Sequence, residues 1–370
     1  FRYQKGILHS ALSIVLPCRN EEKAIASCIK EIRATMDKDY EIIVSDSSTD
    51  NSKIISKKLN IKVIDHEDVG YGIALIHGLK KAKGKYIVIG DADGSYNFLE
   101  TPNLIKKITQ GYDFVIGSRL KGRINKGSMP WHHRYIGNPL LSKILNLFFK
   151  TNVSDTHSGF RIIKKSVLKK LELKTKGMEF ASEMIIKAAK NNIAIGEVPI
   201  SYLKRTGKSK LNSFGDGWRH LRFMLMFSPT YLFFIPGFTL FIFGIMLNFM
   251  LLYGNFYLKE TDITLFLSVF SSFLSILGFQ LVNLGLYSRI YALHSGFEKQ
   301  DKLIDHIAKM FPFERGILIG VILLFISIIN VLLFQRIQNY LISLTIIVLG
   351  IQTIFSVFFI SMMLVEKNEK

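Results

Sequence analysis

Cysteine is almost missing from this chain: Cys18 and Cys28 are the only two in 370 residues. Two thiols outside any metal-ligand spacing make neither a disulfide framework nor a zinc site, so both read as reduced and structural. Charge is missing in a more telling way. Phe223 to Leu258, Ile263 to Ser288, Gly316 to Phe334 and Ile337 to Val365 hold no Lys, Arg, Asp or Glu. A globular core helix rarely stays uncharged that long, whereas roughly 20 apolar residues cross a bilayer as a helix. The four runs predict four transmembrane helices, over 230–258, 262–288, 316–335 and 339–365.

Short links, Lys259 to Asp262 and Arg336 to Asn339, pair these spans into two hairpins. The middle connection, 289–315, carries Arg289, Lys299, Lys302, Lys309 and Arg315. The positive-inside rule assigns it to the cytoplasm, with the soluble domain 10–212 and the tail Glu366 to Lys370 on the same side. Residues 213–229 read as an amphipathic juxtamembrane segment. The expected whole is a multi-pass integral membrane protein with a cytoplasmic soluble domain. Its net charge of +19 then belongs to an anionic lipid bilayer and phosphate-bearing substrates rather than to nucleic acid. Assembly into a homo-oligomer is left open.

Ahead of the spans, apolar runs of strand length alternate with helical patterns. Leu12 to Leu16 (ended by Pro17), Glu41 to Val44, Ile61 to Ile64, Tyr86 to Ile89, Tyr112 to Ile116 and Glu197 to Tyr202 read as strands. Between them, Ala24, Ile25, Cys28, Ile29 and Ile32 share one helical face, and helices follow over Asn51 to Leu59 and from Gly70 to Lys81. This alternation predicts an α/β fold with a doubly wound, mostly parallel sheet. Ligands of such sheets lie beyond the carboxyl ends of the strands, which is where Asp46, Asp91, Asp93 and Arg119 fall.

Asp91 and Asp93, just past Gly90, can grip a hard divalent cation that also holds a diphosphate; the same residues also make an ordinary Asx-rich turn. Asn20, Glu21 and Glu22 read either as the capped start of the first helix or as a loop touching a base or ribose. Asp46 stands where a ribose-binding acid stands in nucleotide folds. Arg119 can pair bidentately with phosphate or stand as a solvated charge. Residues 130–150, with Trp131, Arg134, Tyr135 and Lys143 beside Leu140, Leu141, Ile144, Leu145, Phe148 and Phe149, read as an interfacial helix on the membrane or as a core-facing one. A helix over Met178 to Lys190 turns Glu183 toward the site. His132 and His133 have no partner at metal spacing.

Pro17-x-x-Asn20-Glu21, Asp46, Gly70-Tyr71-Gly72 and Asp91-x-Asp93, in this order at successive strand ends, resemble a family 2 glycosyltransferase of the GT-A fold. The resemblance implies that Asp46 contacts the nucleoside, that Pro17, Asn20, Glu21 and Gly70 line the nucleotide-sugar site, and that Asp91 and Asp93 hold Mg²⁺ or Mn²⁺ on the diphosphate. Asp155-Thr-His-Ser158-Gly-Phe-Arg161 resembles a segment of polyprenyl-phosphate sugar transferases that place the acid beside the acceptor. It implies Arg119, Arg134, Ser158 and Arg161 at the lipid phosphate. Arg205-Thr-Gly207-Lys-Ser209-Lys210-Leu211 is similar to the Arg-x-x-Gly-x-Ser-Lys-Leu segment of dolichyl-phosphate mannose synthases, one residue shorter, and implies Arg205 and Lys210 at the diphosphate. Gly90 to Tyr96 and Met129 to Asn138 look closer to dolichol-phosphate glucose synthetase-like proteins, and Ser95 replaces the glutamine that mannose synthases tend to carry.

The expected activity is inverting transfer of one sugar, from UDP-glucose or another UDP-hexose, to a polyprenyl or dolichyl phosphate at the cytoplasmic membrane face. Asp93, Asp155 and Arg119 are the residues expected to carry it. GDP-mannose is the alternative donor. A processive polysaccharide synthase is a further alternative, although the Gln-x-x-Arg-Trp segment of such enzymes is missing, and a non-catalytic membrane module is another.

Overall fold

The computed structural model describes residues 12–36, 39–207, 213–253, 262–294, 301–310, 312–334 and 336–368. The chain divides into two units, 1–224 and 225–370. In the first, strand and helix alternate through β1 (Leu12–Cys18), α1 (Ile25–Thr35), β2 (Tyr40–Asp46), α2 (Ser52–Lys58), β3 (Lys62–Asp65), α3 (Tyr71–Lys81) and β4 (Tyr86–Ile89). There follow α4 (Thr101–Thr109), β5 (Phe114–Ile124), α5 (Asn138–Phe149), β6 (Arg161–Lys164), α6 (Lys165–Leu171), α7 (Phe180–Lys190), β7 (Ile195–Tyr202) and α8 (Ser213–Met226).

The strands form one sheet in the order β3-β2-β1-β4-β6-β5-β7. All neighbours run parallel except β6, which is antiparallel to both β4 and β5. The mixed, GT-A-like sheet matches the expected class. Its central strands are apolar on both faces because helices cover both: Ile14, Val15, Leu16, Ile87, Val88 and Ile89 are all buried. On α1 the buried residues Ile25, Cys28, Ile29 and Ile32 recur at helical spacing and turn one stripe to the core. Each such side chain contributes roughly 1.5–3 kcal/mol by leaving water. Burial pushes the thiols of Cys18 and Cys28 up to about 12, consistent with inert structural cysteines.

β1, β2, β5 and β7 each run further at one or both ends than their apolar runs predict. β1 passes through Pro17 because β4, its neighbour on one side, has already ended opposite Val15. β5 continues past Ile116 into Arg119 to Ile124, irregularly paired with β7 between Ser118 and Arg123, so its polar half carries no strand-like pattern.

The second unit is helical: α9 (Ile235–Tyr253), α10 (Asp262–His294), α11 (Lys302–Met310), α12 (Phe313–Leu333) and α13 (Ile337–Asn368). Four stretches, Thr230–Leu252, Ile263–Leu293, Phe313–Leu333 and Ile337–Leu364, are long and apolar enough to cross a membrane. Glycines let α9 and α10 approach closely, Gly278 lying against the backbone of Phe241. Asp301, just before α11, takes Arg289 Nε at 2.6 Å and Nη2 at 3.0 Å.

Candidate active site

β1 and β2 end in register, Cys18 beside Asp46, so the loops that follow them meet. Asn20 joins those loops. Its backbone is left-handed (φ 54°), its N–H donates to Ser48 Oγ at 2.8 Å, and its Oδ1 accepts the Thr49 N–H at 2.8 Å. Asn20 therefore staples two loops rather than capping α1, which begins at Ile25 without a side-chain cap. Asp46 is fully buried. Its Oδ1 accepts the Ser48 hydroxyl at 2.6 Å, and its Oδ2 has no hydrogen-bond partner among the described residues. An unpaired buried acceptor costs about 1–3 kcal/mol, which a ligand N–H or hydroxyl would relieve. Pro17, in register with Ser45 on β2, is half-buried.

β4 delivers the two acids. Asp93 Oδ1 accepts the Ser95 N–H at 2.9 Å and hydroxyl at 2.6 Å, while its Oδ2 lies 3.3 Å from Arg205 Nη1. Arg205 also pairs with Glu21, so one guanidinium balances carboxylates from two loops. Its own segment is clipped down by Thr206 N–H to the Asp93 carbonyl at 3.0 Å and Leu203 N–H to the Ser95 carbonyl at 2.8 Å. Asp91 is half-buried: Gly159 lies against its carboxylate, and its Oδ1 is buried without a hydrogen-bond partner among the described residues. Burial, then the Asp93 charge, pushes the Asp91 carboxyl up to about 7. Gly70 has a steric task. At φ 155° it starts α3 so close to the Lys176 carbonyl that no Cβ fits.

The opposite wall comes from β5 and the loop before β6. Asp155, fully buried, takes Arg119 in a fork: Nε to Oδ2 at 2.8 Å and Nη2 to Oδ1 at 2.8 Å, with the Arg119 N–H on Oδ2 at 3.0 Å. The Arg119 guanidinium also lies 5.1 Å from the Tyr202 ring centre. Glu197 anchors the loop from below, Oε1 accepting the Ser154 N–H at 2.8 Å. Tyr96 joins the two walls. Its hydroxyl accepts the Gly159 N–H at 2.6 Å, and its ring stacks on Phe160. Ser158 is buried with its hydroxyl unpartnered.

Sequence comparison places this arrangement. Residues 13–172 match the glycosyl transferase family 2 model, and residues 286–364 match the model of the glycosyltransferase family 2 C-terminal transmembrane region. A dolichyl-phosphate hexose transferase of Haloferax volcanii is 32% identical over 208 residues, 56% of this chain and 89% of that protein. The chain belongs to glycosyltransferase family 2. With its second match and four apolar helices, it is an integral membrane member of that family. The low-salt glycan biosynthesis hexosyltransferase Agl6 of the same organism is 44% identical over 226 residues, 60% of this chain. The chain spans 55% of that relative's length. A solved mycobacterial protein shares the fold, with a TM-score of 0.51 at 20% identity over 59% of this chain and 74% of that one.

Within this family 2 site the structure gathers Glu21, Asp91, Asp93, Arg119, Asp155, Ser158 and Arg205 from five segments: the loops after β1, β4 and β7, strand β5 and the loop before β6. Other expected site residues are engaged with the protein itself. Arg161 is buried, and each of its three nitrogens donates to a main-chain carbonyl: Nε to Ser158 at 2.6 Å, Nη1 to Ala181 at 2.8 Å and Nη2 to Thr156 at 2.8 Å. These three bonds tie it to the inside of the loop. Glu183 likewise turns away, accepting the Thr175 N–H at 2.9 Å and pairing with Lys187 at 2.8 Å. Arg134 lies over the Tyr135 ring on the turn into α5, outside the Asp155 hydrogen bonds. Lys210 falls outside the described residues. The sequence reading missed Glu197, whose strand position looks like an ordinary polar face, and Tyr96, which looks like core.

Proposed function

We propose that this chain transfers a single hexose, with inversion, from a nucleotide-diphosphate sugar to a polyprenyl phosphate at the cytoplasmic membrane face. The observation that carries the reading is that the two acids Asp91 and Asp93 and the Asp155-held Arg119 come together, Gly159 of the Asp155 segment lying against the Asp91 carboxylate. The dolichyl-phosphate hexose transferase relative supports the acceptor class. UDP-glucose or another UDP-hexose is the first donor to test and GDP-mannose the second.

The acids fit a hard divalent cation. Both offer carboxylate oxygen; among the described residues Asp91 Oδ1 is buried and unpartnered, and Asp93 Oδ2 pairs with Arg205. Mg²⁺ or Mn²⁺ held by Asp91 and Asp93 would supply charge stabilisation for the leaving diphosphate. The rest falls to the chain's own side chains. Asp46 Oδ2 offers an acceptor to the nucleoside. Arg205, balanced in this structure by Glu21 and Asp93, would turn to the diphosphate when a donor arrives. Arg119, held in a fixed plane by Asp155, presents a cation to the lipid phosphate. That phosphate is its own nucleophile, because a monoester's second pKa of about 6 leaves it largely ionised near neutrality. The site therefore needs no strong general base; its work is to bring two anions together. Trp131, Tyr135, Ile136, Leu140 and Leu147 are all exposed around α5, which supports a membrane-facing edge for this domain.

The test is a donor screen with purified full chain, Mn²⁺ or Mg²⁺ and a short polyprenyl phosphate, following lipid-linked product. A metal-dependent product carrying one sugar, lost on adding chelator and lost in a folded Asp93→Asn variant, is expected. Substantial transfer by Asp93→Asn refutes the role of the acids, and silence with every donor refutes the activity.

A further inference from the structure

Behind the acceptor wall, three side chains that the reaction does not use form a continuous run. His157 sits in the loop between Asp155 and Ser158. Its Nδ1 lies 3.0 Å from Thr156 Oγ1 and its Nε2 lies 3.4 Å from Ser182 Oγ on α7. Ser182 Oγ in turn lies 2.9 Å from Nδ1 of His220 on α8. Ser182 and His220 are buried, and the two imidazoles meet edge to face with centres 4.2 Å apart. The run also extends the other way, Thr156 Oγ1 lying 3.0 Å from Ser142 Oγ on α5. Burial depresses both histidines, His220 to about 4 and His157 well below its ordinary value. Both rings are thus neutral near pH 7, each with one donor and one acceptor nitrogen. The Ser182 hydroxyl can then donate to one and accept from the other.

We propose that His220 is a positioning residue for the acceptor: through Ser182 and His157 it fixes segment 155–158 to helix α8, and with it the Asp155–Arg119 pair. The inference rests on the acceptor reading above. The geometry makes α8, which leads directly in sequence to the first apolar helix, the element against which the acceptor arginine is aligned. Misplacing a reacting group by about 1 Å costs on the order of a hundredfold in rate, so a modest slackening of this run is measurable.

The experiment compares full-length wild type, His220→Ala, Ser182→Ala and His220→Asn, the last because an asparagine amide occupies nearly the position of Nδ1. In His220→Ala and Ser182→Ala the KM for a short polyprenyl phosphate should rise about tenfold, while the Kd for Mn²⁺–UDP stays within about twofold. His220→Asn should restore most of the acceptor KM. Amide exchange read on the same proteins without substrate should quicken at residues 155–158 in the alanine variants and recover in His220→Asn. An unchanged acceptor KM in His220→Ala, no rescue by asparagine, or a parallel loss of Mn²⁺–UDP binding overturns the proposal. If wild type transfers nothing, the acceptor reading fails by itself, and the exchange data still decide the linkage: unchanged exchange overturns it.

Discussion

A methyl group added at Gly159 tests how tightly the two walls of the pocket depend on each other. A Cβ there would stand 2.9 Å from Asp91 Oδ2, 3.1 Å from Oδ1 and 3.1 Å from the Tyr71 hydroxyl. Non-bonded heavy atoms prefer about 3.5 Å or more, so either Asp91 or the 155–160 loop must give way by roughly half an ångström. Asp91 has little room to retreat: its Oδ1 is buried, and the preceding Gly90 lies against the rings of Phe98 and Phe160. Overpacking of this size destabilises by about 1–3 kcal/mol, which a folded domain survives. The effect on chemistry should be larger in proportion. Gly159→Ala is expected to lower kcat/KM for transfer by about ten- to a hundredfold, or 1.4–2.7 kcal/mol, with a raised Mn²⁺ requirement. Initial rates of lipid-linked product over a Mn²⁺ series measure both. Gly217→Ala, where nothing lies within 4 Å, is the control and should stay within about twofold of wild type. Wild-type kcat/KM in Gly159→Ala at every Mn²⁺ concentration would refute the claim that Asp91 and the acceptor loop share one rigid contact.

Other perturbations separate scaffold from chemistry. Arg161→Met strips the donor from three buried carbonyls and should destabilise the chain by about 3 kcal/mol or more; an unchanged melting temperature together with a raised acceptor KM would restore Arg161 to the phosphate. The depressed His220 value makes its contribution to stability complete above its unfolded pKa near 6.5 and lost as pH falls toward 4. Denaturation of wild type should therefore show about 2–3 kcal/mol more acid destabilisation between pH 7 and 4.5 than His220→Asn; equal curves would contradict the buried neutral imidazole. Asp91 has the opposite sign. Its raised carboxyl favours the metal-free fold at low pH, a contribution lost as pH rises toward 7. Mn²⁺ titrated without donor should bind more tightly with rising pH, by up to about tenfold per unit, then level off above 7; a flat profile from pH 5 to 8 would refute the protonated ground state.

Much of this architecture was legible because buried strands and membrane spans each write a strong one-dimensional pattern. Tyr86 to Ile89 reads as a strand because both its faces are apolar, and the acids after Gly90 follow from where a strand must end. Pairings across the chain leave no such mark. Nothing in the sequence distinguishes Arg119, which faces the pocket, from Arg161, which faces the interior; each precedes or follows a short apolar strand, and only three-dimensional contacts separate them. Asn20 shows the same limit at shorter range. Its composition fits a helix cap, but the register of β1 with β2 brings Ser48 and Thr49 within reach, and these compete for its groups. The extension of β5 through Arg119 to Ile124 was hidden for another reason, since a strand half in solvent loses the apolar signature that identified its first half.

The reversed strand β6 has a consequence for how the enzyme comes into being. Its residues pair across long loops in two directions, Ile163 with Ile87 on β4 and Ile162 with Val115 on β5. Closing such loops is entropically slow, so these contacts are expected late in folding. β6 lies between β4 and β5 and is the strand that joins them into one sheet, so until it inserts the acids after one are not held opposite the arginine on the other. The amides of Ile162 and Ile163 should accordingly lie in the slowest class of native-state exchange, opening only when the whole domain does.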